Sequence, residues 1–183
     1  MQEAAIPRTI AMAIVGETGG EPAAIRAALE YFGFRVLFIP VARPDDLIAV
    51  LNRSALYPDV SDLILCAHGD EGEIIMPELH DSVYRPDEPR GNWDAGRLRA
   101  VVRLPEFRVL TTACTLGDEA TARAFLDGGC REYIAPLGYI EGNATLVFVV
   151  HFYYRIASGA AGAEAWNSAK SLDEETGLYA FWT

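Results

Sequence analysis

Short apolar runs alternate with helix-forming segments along most of the chain. A continuous apolar run of about four to eight residues is typical of a strand buried inside a parallel sheet. Runs of this kind lie at Thr9–Val15, Val36–Ile39 and Leu63–Ala67, and we expect two further strands at Phe107–Thr112 and, shorter, at Tyr133–Ala135. The segments between them carry helix start and stop signals, which include Pro22, Gly33, Pro44, Asp94, Asn143 and Gly159. This alternation predicts a three-layer α/β/α sandwich with a mostly parallel sheet.

Two parts of the chain depart from this alternation. Gly69–Asn92 is rich in Gly, Pro, Asp and Glu, and we expect an irregular segment with one hairpin around Glu73–Met76. The carboxyl-terminal part predicts a helix over Ala161–Ala169 and a closing strand at Leu178–Trp182. Because ligands of such sheets bind at the carboxyl ends of the strands, the residues after the third and fourth strands are the first functional candidates.

The composition is that of one folded domain with an acidic surface. The chain has 183 residues, 51% of them hydrophobic, which is enough for a single core, so residues 1–183 are interpreted as one domain. The formal net charge is -11, from 15 Lys+Arg against 26 Asp+Glu. A surface of that sign repels phosphate backbones and anionic lipids, so we expect neither a nucleic-acid nor a membrane partner.

The cysteine content predicts a reducing, cytoplasmic environment. Cys66, Cys114 and Cys130 are three in number and do not form a disulfide framework. Met1–Arg8 shows no secretory-signal pattern, and the apolar stretch Ala144–Ala157 is too short to span a bilayer. The three cysteines and three histidines also lack zinc-ligand spacing, so we expect no metal.

A histidine and a cysteine follow the third and fourth predicted strands, where they would converge on one edge of the sheet. A cysteine nucleophile needs a base, usually histidine, and Cys114 and His68 supply that pair. It also needs N–H donors for the developing oxyanion; the amides of Gly69 and Cys114 are candidates. Taken singly, Cys114 reads as a buried apolar residue and His68-Gly69 as a turn, but together they favour a catalytic dyad.

The two segments around these residues carry a family resemblance. They read LILCAHGDEG and LTTACTLGDEA, with Cys114 46 positions after His68, and they resemble the caspase-like cysteine peptidases of clan CD. The downstream stretch AFLDGGCREYIAPLGYIEGNATLVFVVHFYYRIASGAAGAEAWNSA and the closing GLYAFWT resemble the CHAT branch of that clan. The resemblance covers most of the chain from Thr9 onward and implies a caspase-like α/β/α fold.

The resemblance also implies an activity and its residues. His68 would be the general base or proton donor, Cys114 the nucleophile, and the Gly69 and Cys114 amides the oxyanion hole of an endopeptidase that works through a thioester. In some clan members an acid in the loop after the first strand lines the pocket for the residue before the scissile bond (P1). Glu17 is that candidate here and predicts a basic P1 side chain by charge complementarity; the alternative is a solvated loop acid.

Other functional classes are left open or fit less well. A non-catalytic caspase-like scaffold, which would bind a partner protein, is the main alternative. A flavodoxin-like protein would need a phosphate-binding loop, and Gly16–Gly20 matches neither the GxGxxG nor the GxxxxGK[ST] pattern, so we expect no cofactor. Glutamine amidotransferases place the nucleophile before its histidine, the reverse of the order here. His151, inside an apolar helical stretch, reads as a structural histidine, and His80 lies in the irregular segment.

Overall fold

The structure, a computed structural model, describes residues 8–183. Its strands are β1 (Thr9–Val15), β2 (Arg35–Val41), β3 (Val60–Cys66), β4 (Gly69–Asp70), β5 (Glu73–Ile74), β6 (Arg108–Thr111), β7 (Glu132–Pro136) and β8 (Tyr179–Trp182). Its helices are α1 (Glu21–Tyr31), α2 (Pro44–Leu51), α3 (Ala95–Val101), α4 (Glu119–Asp127), α5 (Gly142–Ala157) and α6 (Gly162–Lys170). The absence of a secretory signal was predicted from a segment that lies, apart from Arg8, outside the described residues.

A six-stranded sheet with the order β2-β1-β3-β6-β7-β8 forms the middle layer. Its first five strands are parallel, and β8 runs antiparallel to β7. Helices α1, α5 and α6 pack on one face, and α2, α3 and α4 pack on the other. The predicted α/β/α sandwich with a mostly parallel sheet is therefore confirmed.

Strand β3 shows why the central strands read as continuous apolar runs. Successive side chains of a strand point to opposite faces of the sheet. Leu63 and Leu65 enter the core below α2, α3 and α4, while Ile64 and Cys66 enter the core below α1 and α5. All four are fully buried, so the sequence shows no polar alternation.

Charged side chains link three neighbouring strands near the amino-terminal end of the sheet. Arg108 of β6 has a 6% exposed side chain and pairs with Asp62 of β3 at 2.8 Å and with Glu132 of β7. The three residues stand directly opposite one another in the strand register. A buried charge without a partner is strongly destabilising, so these pairs stabilise this register of β3, β6 and β7.

Two local expectations need correction. Asn143 is not a helix cap, because α5 begins at Gly142 with Glu141 at the cap position and no side-chain cap bond. The hairpin lies at Gly69–Ile74 rather than around Glu73–Met76. Its turn residues Glu71 and Gly72 have φ values of 47° and 82°, the sign that a tight two-residue hairpin turn requires at both positions.

Within residues 8–183, no helix is both long and apolar enough to cross a membrane.

Candidate active site

Strands β3 and β6 lie side by side, and their carboxyl ends deliver the two predicted catalytic residues to one edge of the sheet. The register pairs Leu65 with Thr111, so His68 and Cys114 each follow within three residues of a paired position. Both side chains line one cavity of about 130 Å³. The predicted convergence of these two residues is thus found in the structure.

Cys114 is the accessible thiol among the three cysteines. It is half-buried, and its Sγ lies 3.9 Å from the carbonyl oxygen of Ile140. Cys66 and Cys130 are buried, and burial raises the pKa of both thiols, that of Cys130 to about 12. Because the thiolate is the nucleophile, the two buried cysteines are inert and Cys114 remains as the reactive candidate.

The His68 imidazole is exposed and fixed by a main-chain contact. Its Nε2 lies 2.9 Å from the carbonyl oxygen of Glu17, in the loop between β1 and α1. A carbonyl oxygen can only accept a hydrogen bond, so Nε2 carries the proton and Nδ1 of the neutral ring is free to accept one. No direct hydrogen bond joins His68 to Cys114 in the described part of the chain.

The loop before α4 holds Cys114 in a defined position. The N–H groups of Thr112, Ala113 and Thr115 all donate to acceptors within the protein. The Cys114 N–H finds no protein acceptor in residues 8–183. A free amide at this place is what an oxyanion hole requires, and the bonded neighbours keep it from moving.

Gly69 is in main-chain contact with the nucleophile. A Cβ at position 69 would lie 2.1 Å from the Cys114 carbonyl oxygen and 3.1 Å from its nitrogen. Every residue other than glycine would therefore push the histidine loop away from the cysteine loop. From the sequence, we interpreted Gly69 as allowing a substrate to approach the main chain closely. The structure adds that the group closest to Gly69 is the main chain of Cys114 itself.

Glu17, in the β1–α1 loop, and Glu21, at the start of α1, differ in whether their carboxylates lie beside Cys114. The Glu17 carboxylate is exposed and accepts a hydrogen bond from the Gly19 N–H at 3.2 Å, while its carbonyl holds His68. Glu21, in the first turn of α1, lines the cavity beside Cys114. Burial raises the pKa of the Glu21 carboxyl, and the nearby Thr112 and His68 partly offset this.

Glu21 is the residue that sequence reasoning missed. An acid at the start of a helix is so common that its position carries no functional signal. Only the tertiary packing of α1 against the edge of the sheet shows that its carboxylate faces the cavity. The substrate-binding role of Glu17 stays a prediction.

The cavity opens into a longer groove. A second cavity of about 560 Å³ shares Thr18, Glu21, His68 and Gly142 with the first. Its far wall is formed by α1 and the start of α5, including Ala24, Glu141, Asn143 and Leu146. The two cavities therefore form one groove that runs from Cys114 past Glu21 to the space between α1 and the start of α5.

The remaining histidines lie elsewhere. His151 of α5 bonds through Nε2 to the Ser168 hydroxyl of α6 at 2.9 Å, and His80 bonds to Ser82 at 2.8 Å. Neither lines the cavity around Cys114. Residues 8–183 contain no cluster of three or more His, Cys, Asp or Glu side chains that fits a metal ion.

The fold is that of known cysteine proteases. No protein-family model and no curated protein sequence matches the chain. Among solved structures, it is similar to the Arg-specific cysteine proteinase gingipain R (RgpB), with a TM-score of 0.58 at 11% identity over 94% of this chain and 44% of that one. The complex of Porphyromonas gingivalis RgpB pro- and mature domains gives 0.57 at 11% identity over 94% and 45%.

A third similar structure is a secreted cysteine protease from Bacteroides thetaiotaomicron in complex with an irreversible peptide inhibitor. It gives a TM-score of 0.50 at 13% identity over 91% of this chain and 59% of that one. The chain thus spans about half the length of these proteases. These likenesses support the caspase-like fold that the sequence predicted, and at this identity they carry the fold alone.

Proposed function

We propose that the chain is a cysteine endopeptidase with Cys114 as nucleophile and His68 as general base and acid. The observation that carries the proposal is a single cavity at the carboxyl edge of the sheet that is lined by both side chains. The Nε2 of His68 is already bonded to the Glu17 carbonyl, which leaves Nδ1 for proton transfer. The unpartnered Cys114 amide supplies an oxyanion donor beside the attacking sulfur.

The proposed reaction uses these groups in two steps. In the first, His68 Nδ1 accepts the thiol proton, Cys114 Sγ attacks the scissile carbonyl carbon, and the Cys114 and Gly69 amides stabilise the negative oxygen. The imidazolium then protonates the departing amine, the C–N bond breaks and a thioester remains. In the second, a water gives its proton to His68 and attacks the thioester, which releases the carboxylic acid and restores the thiol.

We propose a basic P1 residue, held by Glu21. The Glu21 carboxylate and the unpartnered, buried Thr18 hydroxyl both line the cavity beside Cys114. They offer hydrogen-bond acceptors to a guanidinium or ammonium group, and charge-assisted bonds of that kind are the strong ones. The Glu17 carboxylate, the acid chosen from the sequence, would contribute only if it turned from Gly19 toward the cavity.

Hydrolysis of matched fluorogenic peptides that differ only at P1 tests this function. We expect cleavage after Arg or Lys, a loss of all turnover in Cys114→Ala and His68→Ala, and retained turnover in the matched cysteine control Cys130→Ala. Circular dichroism should show folded protein in each case. The non-catalytic scaffold would be supported instead if the folded wild-type protein cleaves none of the peptides and the Cys114→Ala variant binds them as tightly as wild type does.

We further propose that the chain acts as one CHAT-type domain in the reducing cytoplasm, on a peptide or protein substrate. The unpaired thiols of Cys66, Cys114 and Cys130 support a reducing compartment, because an oxidised nucleophile would be inactive. Fractionation of cells that express the natural gene should recover the protein in the cytoplasmic fraction with Cys114 reduced. Recovery with Cys114 oxidised outside the cytoplasm would contradict this.

A further inference from the structure

A separate cavity of about 430 Å³ lies at the same edge of the sheet, beside the opposite layer of helices. We call it the acidic cavity, and its lining consists of Glu71, Gly72, Glu73, Asp94, Ala95, Thr115, Asp118, Ala120 and Thr121. Four of these residues are acids and none is basic. The acids come from three different elements, the β4–β5 hairpin and the starts of α3 and α4, so folding brings them together.

Two oxygens in this wall are buried without a hydrogen-bond partner. Thr121 is 1% exposed, and its Oγ1 has no acceptor or donor in the protein. Asp118 uses Oδ1 to cap α4 through the Ala120 and Thr121 N–H groups, while its Oδ2 is buried and unpaired. Buried polar atoms are nearly always satisfied, so these two oxygens point to a ligand that donates hydrogen bonds.

The chemistry of the wall selects a basic side chain rather than a metal ion. The described residues hold no three carboxylates close enough to share one ion. A guanidinium is planar, carries five N–H donors and can reach acceptors that stand several ångströms apart. From this, and resting on the proposed peptidase function, we infer that the acidic cavity binds an Arg or Lys side chain of the substrate on the leaving-group side of the scissile bond.

The position of the cavity relative to the nucleophile assigns that side. Cys114 lines the cavity that contains Glu21, and the next residue, Thr115, lines the acidic cavity. A substrate with its P1 side chain beside Glu21 and its carbonyl at the Cys114 amide continues away from α1. It therefore passes over Thr115 toward the hairpin that follows His68.

The hairpin that forms one wall is tied to the nucleophile loop. The Gly72 N–H donates to the Thr115 hydroxyl at 3.0 Å, and Tyr139 donates a hydrogen bond to Asp70. Gly72 also stands close to the free oxygen of Asp118, since a Cβ there would lie 3.6 Å from Oδ2. The walls are therefore preformed, which keeps the entropy cost of ligand binding low.

Direct binding to the Cys114→Ala protein tests the inference without relying on turnover. The probes are peptides with Arg at P1 and Arg, Ala or Glu at the first or second position after the scissile bond. We expect the Arg peptide to bind about tenfold or more tightly than the Ala peptide, and the Glu peptide to bind most weakly. Equal affinity for all three would overturn the inference, even if the peptidase proposal holds.

Matched variants place the effect in the acidic cavity. Asp118→Asn keeps a capping oxygen for α4 and removes the charge, so the preference for Arg should disappear. Glu119→Gln is the control, because Glu119 is exposed on the adjacent position, pairs with Arg123 and does not line the cavity. Loss of the preference for Arg in both variants would indicate a general charge effect and overturn the assignment. The assignment would also be overturned if wild type binds CaCl2, Asp118→Asn does not, and neither protein prefers one peptide over another.

A hydrolysis assay separates the two proposals. Wild-type turnover of the P1-Arg peptide that ends in a small fluorogenic amine reports the peptidase function alone, since that substrate has nothing to place in the acidic cavity. We expect wild type and the Glu119→Gln control to turn this substrate over at rates within about twofold of each other. No turnover together with a retained binding preference would refute the peptidase proposal and leave a basic-peptide site.

Discussion

Replacing Gly69 by alanine should inactivate the site while the protein remains folded. The new Cβ would lie 2.1 Å from the Cys114 carbonyl oxygen, whereas ordinary contact begins at 3.4 Å. The histidine and cysteine loops must therefore separate by about 1.3 Å. A misplacement of about 1 Å can cost on the order of 10²-fold in rate, which is about 2.7 kcal/mol in activation free energy.

The assay is kcat/KM on a P1-Arg peptide, with thermal unfolding measured in parallel. Overpacking of this kind costs about 1–3 kcal/mol in stability, so we also expect a lower Tm by a few degrees. Gly177→Ala is the control, because a Cβ there meets only the Lys170 carbonyl at an ordinary 3.6 Å. If Gly69→Ala keeps kcat/KM within about threefold of wild type, the main-chain contact does not position the dyad and the reasoning is wrong.

Three further predictions concern stability and the loops around the site. Burial raises the pKa of Glu21 above its ordinary 4.5, so ionisation of Glu21 destabilises the folded state. Wild type should therefore have a lower Tm than Glu21→Gln at pH 8, and this difference should shrink as the pH falls through the raised pKa and be absent below about 4.5. A Tm difference that does not change with pH would contradict this. Asp62→Ala removes one of the two carboxylates that pair with Arg108, whose side chain is only 6% exposed, and should lower the free energy of unfolding by about 3 kcal/mol. Urea unfolding measures this, and a loss below about 1 kcal/mol would show that the pair does not stabilise the fold. Glu88 binds Arg43 and the Asp45 and Arg85 amides, so Glu88→Ala should open the segment to trypsin near Arg85, which an unchanged digestion pattern would disprove.

The parts of the fold that follow from local physics could be predicted from the sequence. β1 was predicted to the residue, because Thr9–Val15 is continuous, apolar and buried on both faces of the sheet. The Asp94 cap was predicted as well, and its side chain accepts from the Arg97 N–H at 2.8 Å. Asn143 failed as a cap because the cap position of α5 is Glu141, two residues earlier, and a local signal does not fix the start of a helix within one or two residues.

Only those residues of the candidate site that directly follow a strand could be predicted from the sequence. His68 and Cys114 were found because parallel strands deliver their following residues to one edge. The partner of His68 is a main-chain carbonyl, which leaves no mark in the sequence, and Glu21 reaches the cavity only through the packing of α1. The contact between Gly69 and the Cys114 main chain likewise depends on the distance between two loops that lie far apart along the chain.

The central claim is that Cys114 is the nucleophile and His68 activates it. The most direct measurement is intact-mass spectrometry, with peptide mapping, of the protein after reaction with an irreversible peptide electrophile that carries Arg at P1. We predict one adduct per chain at Cys114, a modification rate at least tenfold lower in His68→Ala, and no adduct on the buried Cys66 and Cys130. An unmodified folded protein, or an adduct that forms at the same rate without His68, would contradict the account.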